Sequence, residues 1–438
     1  MQKQEVRKGY KLVEYNYGKF EEIPEEWNSD RLRNVTIFIK DGTHTPPKRV
    51  STGVPLLSAR NVVNGTLTRF EDDTYITEDD YRKIHAKYEI QEDDVLLTIV
   101  GSIGNSLVVN TNYRFTVQRS VSIIRPNQDK VISYFLHYMF QSNRFKQQLR
   151  NYTKATTQPG IYLKELNELV ITLPSIYEQQ KIASILSNVD SLINQTEREI
   201  ELTQKLKKGL MQKLLTKGIG HKKFKKVESL YGNLVEIPED WFKVTIIAVA
   251  EITDGSHFSP KKVELGYPLA TVQNMKDGRI DIDSCYKISE SDYNRLVKDG
   301  DRVDLGDVLF SKDGTIGKSL VYRQTDELVV LSSIAILRPF ENMDSDYLNY
   351  VLQSDYVKNQ IASSKTGTAL KRVILRDLSK LSILQPPIAE QQKIASILSK
   401  IDSQIQEQRK HRDSLQDLKK GLMQKLLTGQ IRVNTAVA

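Results

Sequence analysis

The chain has 438 residues, 39% of them hydrophobic, and carries 63 Lys and Arg against 55 Asp and Glu for a formal net charge of +8. That length holds material for two separate cores, the single cysteine (Cys285) excludes a disulfide framework, and no apolar run approaches the roughly 20 residues of a membrane-spanning helix. The opening residues Met1 to Arg7 lack the apolar segment of a secretory signal, so a soluble cytoplasmic protein is expected, and the modest basic surplus permits a nucleic-acid partner without establishing one.

From about residue 20 to 173 the sequence reads as mixed α and β. Short β-branched runs, Val95 to Val100 and Val121 to Ile124, alternate with turn signals, and one helical stretch is expected from Ile132 to Tyr152. Asp41-Gly-Thr-His44 leads to Pro46-Pro-Lys48, and Gly101-Ser-Ile-Gly104 follows directly on a strand. Glycines there either relieve backbone strain in a tight connection or let the main chain approach a phosphate, and the letters leave both readings open. His44, like His257 later, reads as a turn or packing residue, because no second His, Cys or carboxylate stands at metal-ligand spacing.

Between Ser175 and Thr216 there is no proline and a single glycine, Gly209, while apolar letters recur at three- and four-residue steps. Ile182, Leu186, Val189, Ile193, Ile200, Leu210 and Leu214 form one stripe, interrupted by Thr196, Thr203 and Lys207; Pro174 marks the entry and Gly218 lies past the end. A helix of about 40 residues is about 60 Å long. One small domain cannot bury it, so its seam needs a partner of similar length. The basic stretch that follows, Lys217, His221, Lys222, Lys223, Lys225 and Lys226, reads as an exposed linker.

Residues 234 to 385 repeat the mixed pattern, with Val329 to Ile334 as one strand run, Ser345 to Ala362 as helix, Gly314-Thr-Ile-Gly317 as the second glycine turn, and Asp254-Gly-Ser-His257 leading to Pro260-Lys-Lys262. Neither half shows the strand-helix alternation of a doubly wound sheet, so each is an α+β domain. The last helix enters at Pro386 and stops before Gly429. Its stripe is Ile394, Leu398, Ile401, Ile405, Leu415, Leu422 and Leu426, interrupted by Gln408, Arg412 and Lys419.

The two halves are copies. Glu178 to Ser187 returns letter for letter as Glu390 to Ser399, and Lys207 to Thr216 as Lys419 to Thr428, 212 positions on in both cases (178 to 390, 207 to 419). Looser anchors are Ile23-Pro-Glu-Glu-Trp27 against Ile237-Pro-Glu-Asp-Trp241, Asp94-Val-Leu against Asp307-Val-Leu, and Arg125-Pro126 against Arg338-Pro339. The fold expected is therefore α+β: two such domains alternating with two long helices, which pair as an antiparallel coiled coil with pseudo-twofold symmetry. Antiparallel pairing leads each helix straight into the next globular unit. With its midpoint at residue 198, Thr196 lies level with Arg412, whose guanidinium would find Glu197 or Glu199.

Equipment for chemistry is missing from the letters: no Walker loop, no Gly-x-Gly-x-x-Gly after a strand, no Gly-x-Ser-x-Gly elbow, no paired-cysteine site, and neither motif of the adenine methyltransferases. The residues alone still admit a DNA-acting enzyme with an unrecognised active site, or a non-catalytic coiled-coil scaffold.

Ile-Pro-x-x-Trp, Gly-x-Ile-Gly, Pro-x-x-x-Glu-Gln-Gln-Lys-Ile-Ala and Lys-Lys-Gly-Leu-Met-Gln-Lys-Leu-Leu-Thr, in this order and over almost the whole chain, resemble the specificity (S) subunit of type I restriction-modification systems. The resemblance implies target-recognition domains at 1–173 and 218–385, spacer helices at 174–217 and 386–430, and a tail at 431–438. It implies a non-catalytic subunit whose domains each recognise one half of a split, asymmetric sequence in double-stranded DNA, while the helices set the spacing and dock two modification subunits. Those methyltransferase partners would bring S-adenosylmethionine and flip the target adenine. Restriction subunits would add ATP- and magnesium-dependent translocation and cleavage. The chain itself would hold neither cofactor nor metal.

DNA contacts are then expected in matched loops: Thr43, His44, Lys48, Arg60, Asn61, Ser102, Asn105, Gln118, Arg119, Lys154, Thr157, Gln158 and Tyr162 in the first domain. Their counterparts in the second are Ser256, His257, Lys261, Lys262, Gln273, Asn274, Lys312, Thr315, Lys318, Lys365, Thr368, Lys371 and Arg372. Cations there would grip phosphates, and amides and hydroxyls would read base edges.

Overall fold

The computed structural model describes residues 6–15, 19–45, 47–152, 160–228, 234–363 and 372–433. They fall into two units, residues 1–197 with 410–438 and residues 198–409.

In the first unit the apolar runs seen in the sequence become an antiparallel sheet in the order Ser106–Val108, Val95–Thr98, Val121–Pro126, Thr36–Asp41. Both faces are covered, which is why Val95 to Leu97 shows no polar alternation. Val95, Leu97 and Ile124 pack with Phe135, Leu136 and Met139 of the helix Ser133–Gln141. On the other face Leu96, Leu107 and Ile123 meet Leu57 and Val117 of a three-stranded sheet, Thr116–Val117, Val54–Leu57, Thr74–Ile76. The second unit repeats the plan with Ala250–Asp254, Ile334–Pro339, Val308–Ser311, Ser319–Val321 and the smaller sheet Tyr286–Ile288, Tyr267–Ala270, Val329–Val330. Each fully buried Leu, Ile or Phe in these layers contributes about 1.5–3 kcal/mol.

Three expected elements are broken where one was foreseen. The helical stretch from Ile132 divides into Ser133–Gln141 and Asn143–Tyr152 because Ser142 turns extended, donates its hydroxyl to Met139 O at 2.6 Å and accepts from Phe145 N at 3.2 Å. Ser354 does the same between Ser345–Leu352 and Asp355–Ser363. The run Val329 to Ile334 is two strands in two sheets, turned at Leu331 to Ser333.

The long helices span Ile176–Lys217, 42 residues, and Ile388–Leu426, 39 residues. Within the first unit Val189 and Ile193, near the start of one, pack with Leu415 and Leu422, near the end of the other. Within the second, Leu210 and Leu214 share a core with Ile394 and Leu398. The helices therefore run antiparallel. Ile182, Leu186, Ile200, Ile401 and Ile405 are buried with them, and Leu186 with Leu422 and Ile193 with Leu415 keep the register that sets Thr196 level with Arg412.

The polar positions of the seam bond mainly to near neighbours. Thr196 and Thr203 are buried, and each donates its hydroxyl to its own helix, at Leu192 O and Glu199 O, both 2.8 Å away. The Arg412 guanidinium is held by its neighbour Asp413 at 2.6 and 3.0 Å, an acceptor that the expectation of Glu197 or Glu199 did not include. The basic stretch after the first helix is no free linker either. Phe224–Glu228 pairs with Leu234–Pro238 as a hairpin, Lys217 bonds Glu236 at 2.8 Å, and His221 is half-buried.

Candidate nucleic-acid interface

Antiparallel order places the carboxyl ends of Thr36–Asp41 and Val95–Thr98 beside the amino ends of Ser106–Val108 and Val121–Pro126. The loops at that end are tied to one another. Thr43 bridges Gln118, Arg119 N donates to Thr43 O, Ile99 N donates to Ser120 O, and Val100 bridges Gly160 just before Tyr162. In the second unit Ser256 bridges Leu331, Lys312 N donates to Ser333 O, and Asp313 bridges Arg372. Segments far apart in sequence thus form one surface per unit.

Among the described expected contact residues, Lys48, Ser102, Asn105, Arg119 and Tyr162 in the first unit and Lys261, Lys262, Gln273, Thr315, Lys318 and Arg372 in the second have their side chains in solvent. Thr43 and Gln118 are half-buried. His44 and His257 are exposed but face Asp41 and Asp254, at 2.6 and 3.3 Å. Arg60 is exposed and pairs with Asp72 and Asp73 at 2.7 and 2.9 Å. Lys154, Thr157, Gln158, Lys365, Thr368 and Lys371 lie outside the described residues.

Four expectations need correction. Asn61 and Asn274 are buried and close the short helices Ala59–Asn61 and Val272–Asn274, their Oδ1 atoms accepting from Ser58 N at 2.9 Å and Thr271 N at 2.8 Å. Ser256 is buried and its hydroxyl donates to Phe258 O at 3.0 Å. Lys312 is 1% exposed and paired with Asp254, so its ammonium bridges two loops of the domain instead of reaching a phosphate. In the glycine turns Gly101, Gly104, Gly314 and Gly317 have φ of +80°, +94°, +66° and +92°, a region costly for other residues, which gives the backbone reason for glycine at these positions.

Electrostatics differ between the units. Burial pushes the Asp73 carboxyl up, but bonds from Asn61, Phe70 N, Arg69 and Arg60 outweigh it and bring it down to about 2. At Asp301 the Ser256 hydroxyl is the side-chain donor. Burial, then the charge of Asp299, raises it to about 6 against the Ser256 hydroxyl and His257.

The repeated letters prove to be anchors. Glu178, 1% exposed, accepts from Trp27 Nε1 at 3.1 Å and from Arg432 Nε and a terminal guanidinium nitrogen at 2.7 and 2.9 Å. Glu390 accepts from Trp241 Nε1 at 3.0 Å, Ile219 N at 2.8 Å and His221 Nε2 at 2.9 Å. The next residue is buried too: Gln179 accepts from Ile132 N, and Gln391 from Asp344 N, at 3.1 and 2.9 Å, so each clasps the lead-in to a domain helix. At the other end Lys419 pairs with Asp190 at 2.7 Å beneath Tyr138, and Lys207 with Asp402 at 2.6 Å beneath Tyr350. Asp190 and Asp402, like Tyr138 and Tyr350, stand at the repeat spacing, a signal the sequence reading left unused. Among the described residues His221, Asp240 and Glu390 bring ligand atoms within 4.8 Å of one another. The place of His221 is taken in the first unit by Arg432, which cannot bind a metal, so the group reads as a hydrogen-bonded anchor.

Two domains with loops gathered at their sheet ends, each braced on long antiparallel helices, define a two-part recognition protein. The model of the type I restriction modification DNA specificity domain matches residues 24–204 and 238–415, and the chain belongs to that family. It is a specificity subunit, and its role is DNA recognition. Relatives in Methanocaldococcus jannaschii are the provisional MjaX type I restriction enzyme specificity subunit, 30% identical over 97% of this chain and 98% of the relative, and the MjaVIII specificity subunit, 29% identical over 94% of each. The type I restriction-modification S subunit of M. genitalium shares the fold, with a TM-score of 0.56 and 14% identity over 97% of this chain and 99% of that one. No described helix is long and apolar enough to cross a membrane.

Two outcomes follow from the anchors and the charges. Glu178→Ala leaves the Trp27 donor and Arg432 without their buried acceptor and should destabilise the first unit by about 3 kcal/mol; denaturant titration gives the loss, and hydrogen exchange should place it in the paired strands Tyr10–Tyr15 and Lys19–Pro24 and in residues 429–433. For Asp301 the folded value lies above the unfolded one of 3.8, so the stability it lends is present below pH 4 and is lost as pH rises through about 6. Asp301→Asn should therefore raise the melting temperature at pH 7.5 and change it little at pH 4.

Proposed function

We propose that the domain of each unit reads one half of a split, asymmetric site in double-stranded DNA, while the two long helices set the spacing of the halves and dock two methyltransferase subunits. One observation carries the reading: two ten-residue blocks at each long helix, Glu178 to Ser187 with Lys207 to Thr216 and Glu390 to Ser399 with Lys419 to Thr428, repeat letter for letter, while the loops at the sheet ends share only short anchors. Two surfaces that face the same partner keep the same letters; two that face different DNA half-sites diverge.

On this reading the domains occupy 1–173 and 218–385, the spacers 174–217 and 386–430, and the tail 431–438. Lys48, Arg119, Lys261, Lys262, Lys318 and Arg372 meet phosphates. Asn105, Gln118, Gln273, Ser102 and Thr315 face base edges, and Tyr162 offers a stacking surface. Methylation, with S-adenosylmethionine, and ATP- and magnesium-dependent cleavage belong to the modification and restriction partners, and the whole assembles in the cytoplasm. The order of the motifs favours this over a lone enzyme or an inert scaffold.

Replacing Lys261, Lys262 and Lys318 together with Ala should weaken DNA binding and flatten its dependence on salt by about one unit of slope for each lysine that contacts a phosphate. A titration showing the wild-type slope removes the phosphate role. The ruler is tested by adding four residues to the middle of each long helix, about 6 Å. The gap between half-sites should grow by about two base pairs at 3.4 Å each; the added helix overshoots a full turn by about 40° while the DNA turns about 70°, a mismatch of about 30°. Methylation-site mapping reads the outcome, and an unchanged gap in an active complex means the helices do not set it.

A further inference from the structure

One loop is built identically in the two domains and differs only at its tip. Val50 N donates to Tyr75 O at 3.0 Å, and Val263 N to Lys287 O at 2.9 Å, so each loop is pinned at its start to one strand of the small sheet. Three residues on, Gly53 and Gly266 press against that same strand: a Cβ would stand 2.2 Å from Ile76 O and 2.1 Å from Ile288 O, which excludes any side chain. Two residues remain between the pins, Ser51-Thr52 in the first domain and Glu264-Leu265 in the second, all exposed. Before each loop stands a pair of exposed cations, Lys48-Arg49 and Lys261-Lys262.

The tip of the second domain is the more telling. Leu265 is 90% exposed on a loop held at both ends, so it cannot fold back to hide its side chain. Val263, beside it, is also exposed, at 38%. An apolar side chain fixed in water next to two lysines fits a surface that is anionic at its rim and apolar within, as the major groove is where a thymine methyl projects between phosphate rows.

We propose that these dipeptides are specificity-determining contacts: the constant cations hold phosphates, and the tip reads a base step. Glu264 would accept from a cytosine amino group and Leu265 would cover a thymine methyl, while Ser51 and Thr52 offer hydroxyls that donate or accept. The proposal rests on the reading of each domain as a DNA half-site reader. A rigid frame with an interchangeable tip lets the base preference change without disturbing the sheet, since neither pin involves a tip side chain.

The test uses the full chain in complex with its modification subunits. Glu264→Ser with Leu265→Thr gives the second domain the first domain's tip, and Ser51→Glu with Thr52→Leu does the reverse. Each complex is bound to duplex pools randomised in one half-site, and its methylated sites are mapped. The tip exchange should alter base preference about tenfold at one or two positions of its own half-site and leave the other half-site as it was. Unchanged preferences in both halves, or changes spread over both, overturn the proposal. Leu265→Ala alone guards against an exchange that fails to bind; with a wild-type melting temperature and the wild-type preference at every position, it overturns the assignment equally. If the unsubstituted complex shows no sequence preference at all, it is the half-site reading that fails.

Discussion

A carboxylate at the start of each long helix, buried at Glu178 and half-buried at Glu390, is the constraint on which the rest depends. Glu178 is buried, and a buried charge left unpaired costs several kcal/mol, so the fold must bring donors to it. It draws the indole of Trp27 from the start of the domain and the guanidinium of Arg432 from the segment after the other helix. Three stretches of chain converge on one side chain. Glu390 makes the same demand of Trp241 and of Ile219 and His221, which again follow the other helix. Because the helices run antiparallel, the segment leaving one always arrives where the other begins, and the carboxylate locks it there.

The lysines near the far ends of the helices complete the brace. Lys419 and Lys207 sit where the apolar stripe is interrupted, and each meets an aspartate of the facing helix and a tyrosine of the domain. Such charged layers add less stability than leucines would, but they accept only one register and one domain orientation. The interruptions thus mark the places where domain and helix are fixed to each other.

Much of this was legible in the letters, and the remainder was hidden for physical reasons. The stripe, its proline entries and the need for a partner of similar length follow from periodicity and length, which no distant contact alters, whereas the antiparallel direction rests on the short connection into the next globular unit. The breaks at Ser142 and Ser354 were invisible because serine is compatible with a helix and ends one only when its hydroxyl takes over backbone bonds. Lys312, Asn61 and Asn274 look like ordinary loop polars, and only the fold shows that Asp254 claims the first and that the other two close turns in the interior. Arg432 and His221 escaped because they perform one task with different letters, and because Arg432 is 254 residues from its partner.

That last difference illustrates how the molecule divides its freedoms. Where a residue must donate to the carboxylate at a helix start, the two units accept either a guanidinium or an imidazole, with the nitrogen at 2.7 to 2.9 Å. Where a residue faces a strand, as Gly53 and Gly266 do, no substitution is tolerated. Where it faces only water, as at positions 51, 52, 264 and 265, the units diverge completely, from Ser and Thr to Glu and Leu. Tolerance is set by what a residue touches and is greatest at the loop tips. A scaffold graded in this way can acquire a new target by changes at its rim, because the forces that fix the domain on its helix act at the opposite end of the chain of contacts from the side chains that would meet DNA.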